Sequence, residues 1–151
     1  MIAWLIALSA ATAQPALPDS ARAPAAVVDA FHAALARGDE AAAGALIADD
    51  ALIFEEGGAE RSKAEYQERH LPADAEFSKA VRFTATRRGA EAAGPLALVT
   101  TEGRTSGSFR GKPVDRVTAE TMVLRRDAKG WRIVHIHWSS AAQKRPAAGA
   151  D

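Results

Sequence analysis

Two histidines separated by one residue, His135 and His137, are the densest concentration of chemistry in this chain. They lie in a segment, Trp131 to Ser139, whose β-branched and aromatic content reads as a strand. Alternate strand residues share a face, so Trp131, Ile133, His135 and His137 are expected to point one way, while parity alone leaves open which side of the sheet that is. Asp127-Ala128-Lys129-Gly130 just before it is a hairpin turn. A hairpin centred on Ala128 and Lys129 pairs Arg126 with Trp131, Leu124 with Ile133, Met122 with His135 and Glu120 with His137. Opposed residues have Cβ atoms about 4.5–5.5 Å apart, so Glu120, Met122, His135 and His137 are expected in one patch. A slip of one residue would send Glu120 and Met122 to the opposite face.

Two chemistries suit such a patch. Imidazole and carboxylate ligands bind Zn, Cu, Fe or Ni, and a thioether from Met122 favours Cu, so a Cu or Zn ion is the expected cofactor. Alternatively, Glu120 and His137 form an acid/base pair in which each shifts the other's proton affinity. An isolated H-x-H is more often a pair of hydrogen-bonded histidines, Met122 more often fills a core, and a Glu–His pair can be purely structural. Further candidates are Glu55, which with Glu56 follows an apolar strand and could edge a cavity or sit in a solvated turn, and Glu102, on a strand expected beside that of Glu120. His32 reads as a surface or helix-packing residue.

The elements that must position these groups follow from pattern. Val27, Val28, Phe31 and Leu35 recur at helical spacing, which predicts a helix over 25–37 ended by Gly38, and Asp39 caps a second, alanine-rich helix. Leu52-Ile53-Phe54 is a short strand broken at Gly57-Gly58. Ser62 with Glu65 is a capping box opening a short helix that Pro72 closes. Tyr66 and His70, four apart on that helix, share a face. The second half reads as strands throughout, so helices followed by an antiparallel run predict an α+β fold with helices on one face of the sheet.

The 151 residues make one domain, and 19 Lys+Arg balance 19 Asp+Glu with no block of one sign. Nothing there calls for nucleic acid. The absence of cysteine excludes disulfides, thiolate metal sites and a cysteine nucleophile. The apolar run from Ile2 to Leu8, followed by Ala11-Thr12-Ala13, reads as a signal peptide over 1–13, implying a periplasmic or secreted protein without a permanent membrane span. Residues 14–24, rich in Pro and Ala, read as a linker, 25–140 as the domain and 141–151 as a disordered tail.

The helix around Val27–Arg37, the stretch ARGDEAAAGALIADDALIF and the ending RRDAKGWRIVHIHWSS resemble SnoaL-like and ketosteroid isomerase-like members of the nuclear transport factor 2-like superfamily. The resemblance covers Pro24 to Ser140. It implies a cone: a curved antiparallel sheet with N-terminal helices closing a cavity, which Trp131 and Ile133 would line beside His135 and His137. It also implies a homodimer packed sheet to sheet, and places the helix bearing His70 near the cavity mouth, where His70, His135 and His137 would offer three imidazoles. Three functions stay open: a cavity protein that binds a small ligand or metal ion, a proton-transfer enzyme acting on an apolar substrate through Glu120, His137 and Tyr66, and a non-catalytic assembly module.

Overall fold

The computed structural model describes residues 16–143; the expected signal peptide over 1–13 lies outside them. Helix α1 spans Asp19–Arg37 and presents Val28, Phe31 and Leu35 to the core. It begins earlier than the pattern predicts, so residues 19–24 are helix and not linker. Pro24 lies inside it and, having no N–H, leaves one carbonyl of the preceding turn without its amide partner. Gly38 stops the helix in the left-handed conformation at φ 70°, which a residue with a Cβ adopts only at a cost. Asp39 then accepts a hydrogen bond from the Ala42 amide at 3.0 Å and starts α2, Glu40–Ala45.

Strand β1, Ile47–Glu55, turns tightly into β2, Gly58–Glu60. Helix α3, Lys63–Arg69, opens on the expected capping box: the Ser62 hydroxyl accepts from the Glu65 amide at 3.1 Å. Pro72 does not end this segment. It stands in the first turn of a further helix, α4, Leu71–Ala80, where its missing N–H has no intrahelical partner to lose.

Four long strands follow: β3, Val81–Ala93; β4, Leu96–Phe109; β5, Lys112–Asp127; and β6, Gly130–Ala142. The sheet order is β2-β1-β6-β5-β4-β3, and the β1–β6 pair is parallel, so the sheet is mixed where an antiparallel one is expected. The last strand outruns the expected start of the tail: Ala141 and Ala142 pair with β5, and the Gln143 amide donates to the Asp115 carbonyl at 3.0 Å.

The helices pack on one face of this curled sheet. Val28, Phe31, Ile53, Tyr66, Leu71, Val99, Met122, Leu124, Ile133 and Ile136 are buried between the two layers. No helix among the described residues is long and apolar enough to cross a membrane.

Candidate functional site at the concave face of the sheet

One row of residues crosses the inner face at a single level. Glu55 of β1 stands beside Trp138 of β6, Trp138 beside Glu120 of β5, and Glu120 beside Thr101 of β4. All four point toward the helices, and their chemistry divides at Trp138.

On one side lies a buried carboxylate. The Glu120 carboxylate, 6% exposed, accepts from the indole Nε1 of Trp138 at 2.7 Å and meets the Nε2 of His32 at 2.7 Å. Burial alone would push this carboxyl up. The hydrogen bond and charge of His32, with hydrogen bonds from Trp138 and Thr101, outweigh burial and hold it below the usual carboxylate range. Arg88 donates to the Thr101 hydroxyl at 3.3 Å and pairs with Asp29, one helical turn before His32. The ring of Phe83 stacks on His32 with centroids 5.5 Å apart.

On the other side, between β1 and β2 and the helices α3 and α4, acidic groups crowd together. The Tyr66 hydroxyl donates to Asp74 at 2.6 Å, and His70 pairs with the buried Glu60. Burial, with the nearby charges of Asp74 and Glu56, pushes the Glu55 carboxyl up to about 7. Burial likewise raises Asp74 to about 6, against the hydrogen bond from Tyr66 and the charge of His70. Tyr66 is pushed well above its ordinary value by burial and then by Asp74. Glu55 and Trp138 remain partly accessible, while Phe31, Tyr66 and Met122 fill the space beneath them.

The expected constellation is not assembled. The predicted hairpin register holds from the turn to Leu124 opposite Ile133, and then a β-bulge at Val134 shifts it. His135 pairs with Val123 and His137 with Thr121, while Glu120 faces Trp138 and Met122 faces Ile136. An inserted residue reverses which face every later side chain takes. Trp131 and Ile133, before the bulge, point inward as expected, Ile133 into the core and Trp131 partly buried beneath the guanidinium of Arg126. His135 and His137, after it, point to the outer face, away from Glu120, Met122, Tyr66 and His70. Glu120 and His137 therefore do not form an acid/base pair; the histidine that Glu120 meets is His32. Glu102 pairs with Ala119 and is exposed on the outer face, so it lines no interior site. Among the described residues no group of three or more His, Cys, Asp or Glu stands close enough to hold a metal ion.

His32 and Asp74 are the residues of this candidate site that sequence reading missed. His32 sits beside the buried Phe31 on α1, and nothing in the pattern shows that its ring reaches across to β5. Asp74 follows Pro72, and reading that proline as a stop hides the helix that carries it.

Two depressions open elsewhere. One of about 410 Å³ lies between the end of α1 and α4, lined by Gly38, Glu40, Ala75 and Lys79 among others. The other, about 320 Å³, lies on the outer sheet face between Arg87, Gly89, Thr100 and Glu102. Neither contains the carboxylate cluster.

The SnoaL-like domain model matches residues 25–143. Among solved structures, a candidate ketosteroid isomerase from Shewanella frigidimarina NCIMB 400 is 37% identical, with a TM-score of 0.77, covering 82% of this chain and 100% of that one. A candidate calcium/calmodulin-dependent protein kinase II association domain from Xanthomonas campestris shares the fold at 20% identity and TM-score 0.71, covering 89% of this chain and 98% of that one. The CaMKII hub of S. rosetta is 26% identical with TM-score 0.67, covering 84% and 99%. No curated protein sequence matches the chain. The match across most of its length, with the cone-like α+β fold, makes this chain a SnoaL-like domain protein of the nuclear transport factor 2-like superfamily.

Proposed function

We propose that this protein binds a small, largely apolar molecule at the mouth of the cone and exchanges a proton with it through Glu55. The observation that carries this reading is the place of Glu55, on the inner face beside the partly accessible Trp138 and close to Asp74 and Glu60, where burial and the neighbouring charges raise its carboxyl to about 7. A group that takes up and releases a proton near the working pH is the effective acid or base at that pH. Trp138 and the core beneath it offer an apolar floor, and His70 and Asp74 supply the polar rim. The likeness to a candidate ketosteroid isomerase supports the same class of chemistry. The test is isomerisation of a β,γ-unsaturated cyclic ketone to its conjugated isomer, followed by ultraviolet absorbance. The rate should rise as Glu55 ionises around pH 7 and fall by about 10²-fold or more in Glu55→Gln. A rate indifferent to that substitution would overturn the assignment.

A second reading, self-association through the outer face of the sheet, is favoured by the residues there. A solvated sheet face is expected to be polar. Here Leu96, Leu98, Val117 and Phe54 are each more than a third exposed. Likeness to hub and association domains adds support. Sedimentation of the wild type beside Leu98→Asp tests it, and a monomeric wild type would refute it. Export is a separate proposal, supported by the apolar run from Ile2 to Leu8 and the Ala11-Thr12-Ala13 pattern.

A further inference from the structure

His135 and His137 take no part in the concave site, yet the bulge at Val134 places them side by side on the outer face. The Nδ1 of His135 lies 2.8 Å from the Leu52 carbonyl oxygen. A carbonyl oxygen can only accept, so Nδ1 carries the hydrogen and Nε2 keeps its lone pair. Fixing one ring nitrogen on a carbonyl is how proteins orient an imidazole for a metal ion. His137, two residues on, is exposed, and the Phe54 ring stands edge-on to both imidazoles, at 5.4 and 6.4 Å between centroids.

We propose that His135 and His137 form half of a transition-metal site, for an ion of the zinc or copper class, which a second copy of this chain completes with the same two residues. The proposal rests on the self-association reading above. One chain presents two imidazoles where a structural zinc site takes four ligands, so a second copy offering the same pair would bring the set to four.

The position suits a shared site. Strand β6 is third of six from one edge and β5, its neighbour, is fourth, so the pair straddles the midline of the sheet. A two-fold axis through that midline brings the two histidine pairs together. Facing sheets lie about 10 Å apart, a gap that imidazoles reaching from both sides can close.

The surroundings suit a second copy. Around the histidines the outer face carries Phe54, Thr121, Val123, Leu98 and Thr100, none of them charged. Farther out the face is polar: Arg104 pairs with Asp115 and Arg125 with Asp50, and Arg87, Glu91 and Glu102 also lie on this side. The five long strands, at about 4.8 Å spacing and roughly eight residues of length, give a face of about 600 Å², near the roughly 800 Å² per partner of a stable interface.

The experiment is analytical ultracentrifugation of the tag-free chain with EDTA, with Zn²⁺ and with Cu²⁺, beside His135→Ala/His137→Ala, whose fold is checked by circular dichroism. The metal content of the dimer is read by mass spectrometry under native conditions. The expected result is one ion per two chains and self-association at least tenfold tighter with metal, both lost in the double variant. A dimer equally tight with and without metal in both proteins would overturn the metal site and leave the sheet-face interface standing. A monomer that binds one ion per chain would overturn the sharing, and a monomer without metal would overturn both.

Discussion

Replacing Glu55 with glutamine should make the protein more stable at neutral and alkaline pH while leaving its acid stability unchanged. The folded state raises the Glu55 carboxyl from 4.5 to about 7, chiefly by burial. Below about pH 4.5 both folded and unfolded chains hold the proton, and the group costs nothing. As pH rises from there the unfolded chain releases its proton while the folded chain retains it, so stability falls until about pH 7 and then levels off. At about 1.36 kcal/mol per pH unit the full effect is about 3.4 kcal/mol. Glu55 is only partly buried, and solvent screening reduces this to about 2 kcal/mol. Glutamine has nearly the same shape and cannot ionise. The variant should therefore gain about 2 kcal/mol at pH 8, roughly 6–10 °C in Tm for a domain of this size. Asp74, raised to about 6, imposes a decline of the same sign between its ordinary 3.8 and 6. The segment from pH 6 to 7 thus isolates Glu55. Urea denaturation at half-unit steps from pH 4 to 8 measures both curves. Parallel curves, or a variant less stable at pH 8, would refute the reasoning.

Four further outcomes are expected. His32→Ala leaves the buried Glu120 carboxylate without its imidazole and should cost about 2–3 kcal/mol, read by urea denaturation at pH 7. Asp74→Asn should lower the apparent proton affinity of Glu55, because the charge of Asp74 is among the causes that raise it, and carboxyl ¹³C shifts against pH would show this. Gly103→Ala places a Cβ in collision with the Phe83 ring, so that ring must swing off its stack on His32. Stability should drop by about 1–2 kcal/mol, and the His32 ring protons should move in the NMR spectrum. If the leader is cleaved after Ala13, the intact mass of the exported protein begins at Gln14; a mass retaining the apolar run refutes export by this signal.

Local rules read most of the fold and little of the site. Gly38, Asp39, Ser62 with Glu65, and the Asp127–Gly130 turn all act as their chemistry predicts, because each satisfies backbone groups within a few residues. Pro72 was ambiguous by the same logic, since a proline that closes one helix equally well opens the next. Strand parity held for Trp131 and Ile133 and failed for His135 and His137. The bulge at Val134 that separates them answers to packing: Ile136 and Trp138 are brought inward onto Met122, Phe31 and Glu120, and that gain is invisible in alternation alone. The parallel pairing of β1 with β6 is likewise a long-range choice with no local signature.

Why Glu55, and not the more deeply buried Glu120, should exchange protons near neutrality follows from what surrounds each. The two stand one strand apart in the same row, with Trp138 between them. Glu120 has His32, Trp138 and Thr101 as hydrogen-bonding partners, and its anion is better satisfied than its neutral form. Glu55 sits near other acids, Asp74, Glu56 and Glu60, with the charge of His70 opposing them. Environments that drive two carboxyls apart divide acid from base in one site. Glu120 therefore holds a fixed negative charge that orients Trp138 and His32, while Glu55 alternates between acid and carboxylate at the accessible mouth. Substituting Glu120 should then lower stability and disturb the floor of the site, while the proton affinity of Glu55 stays near 7. An exchange of roles, with Glu120 titrating near neutral pH, would place the chemistry on the opposite side of Trp138.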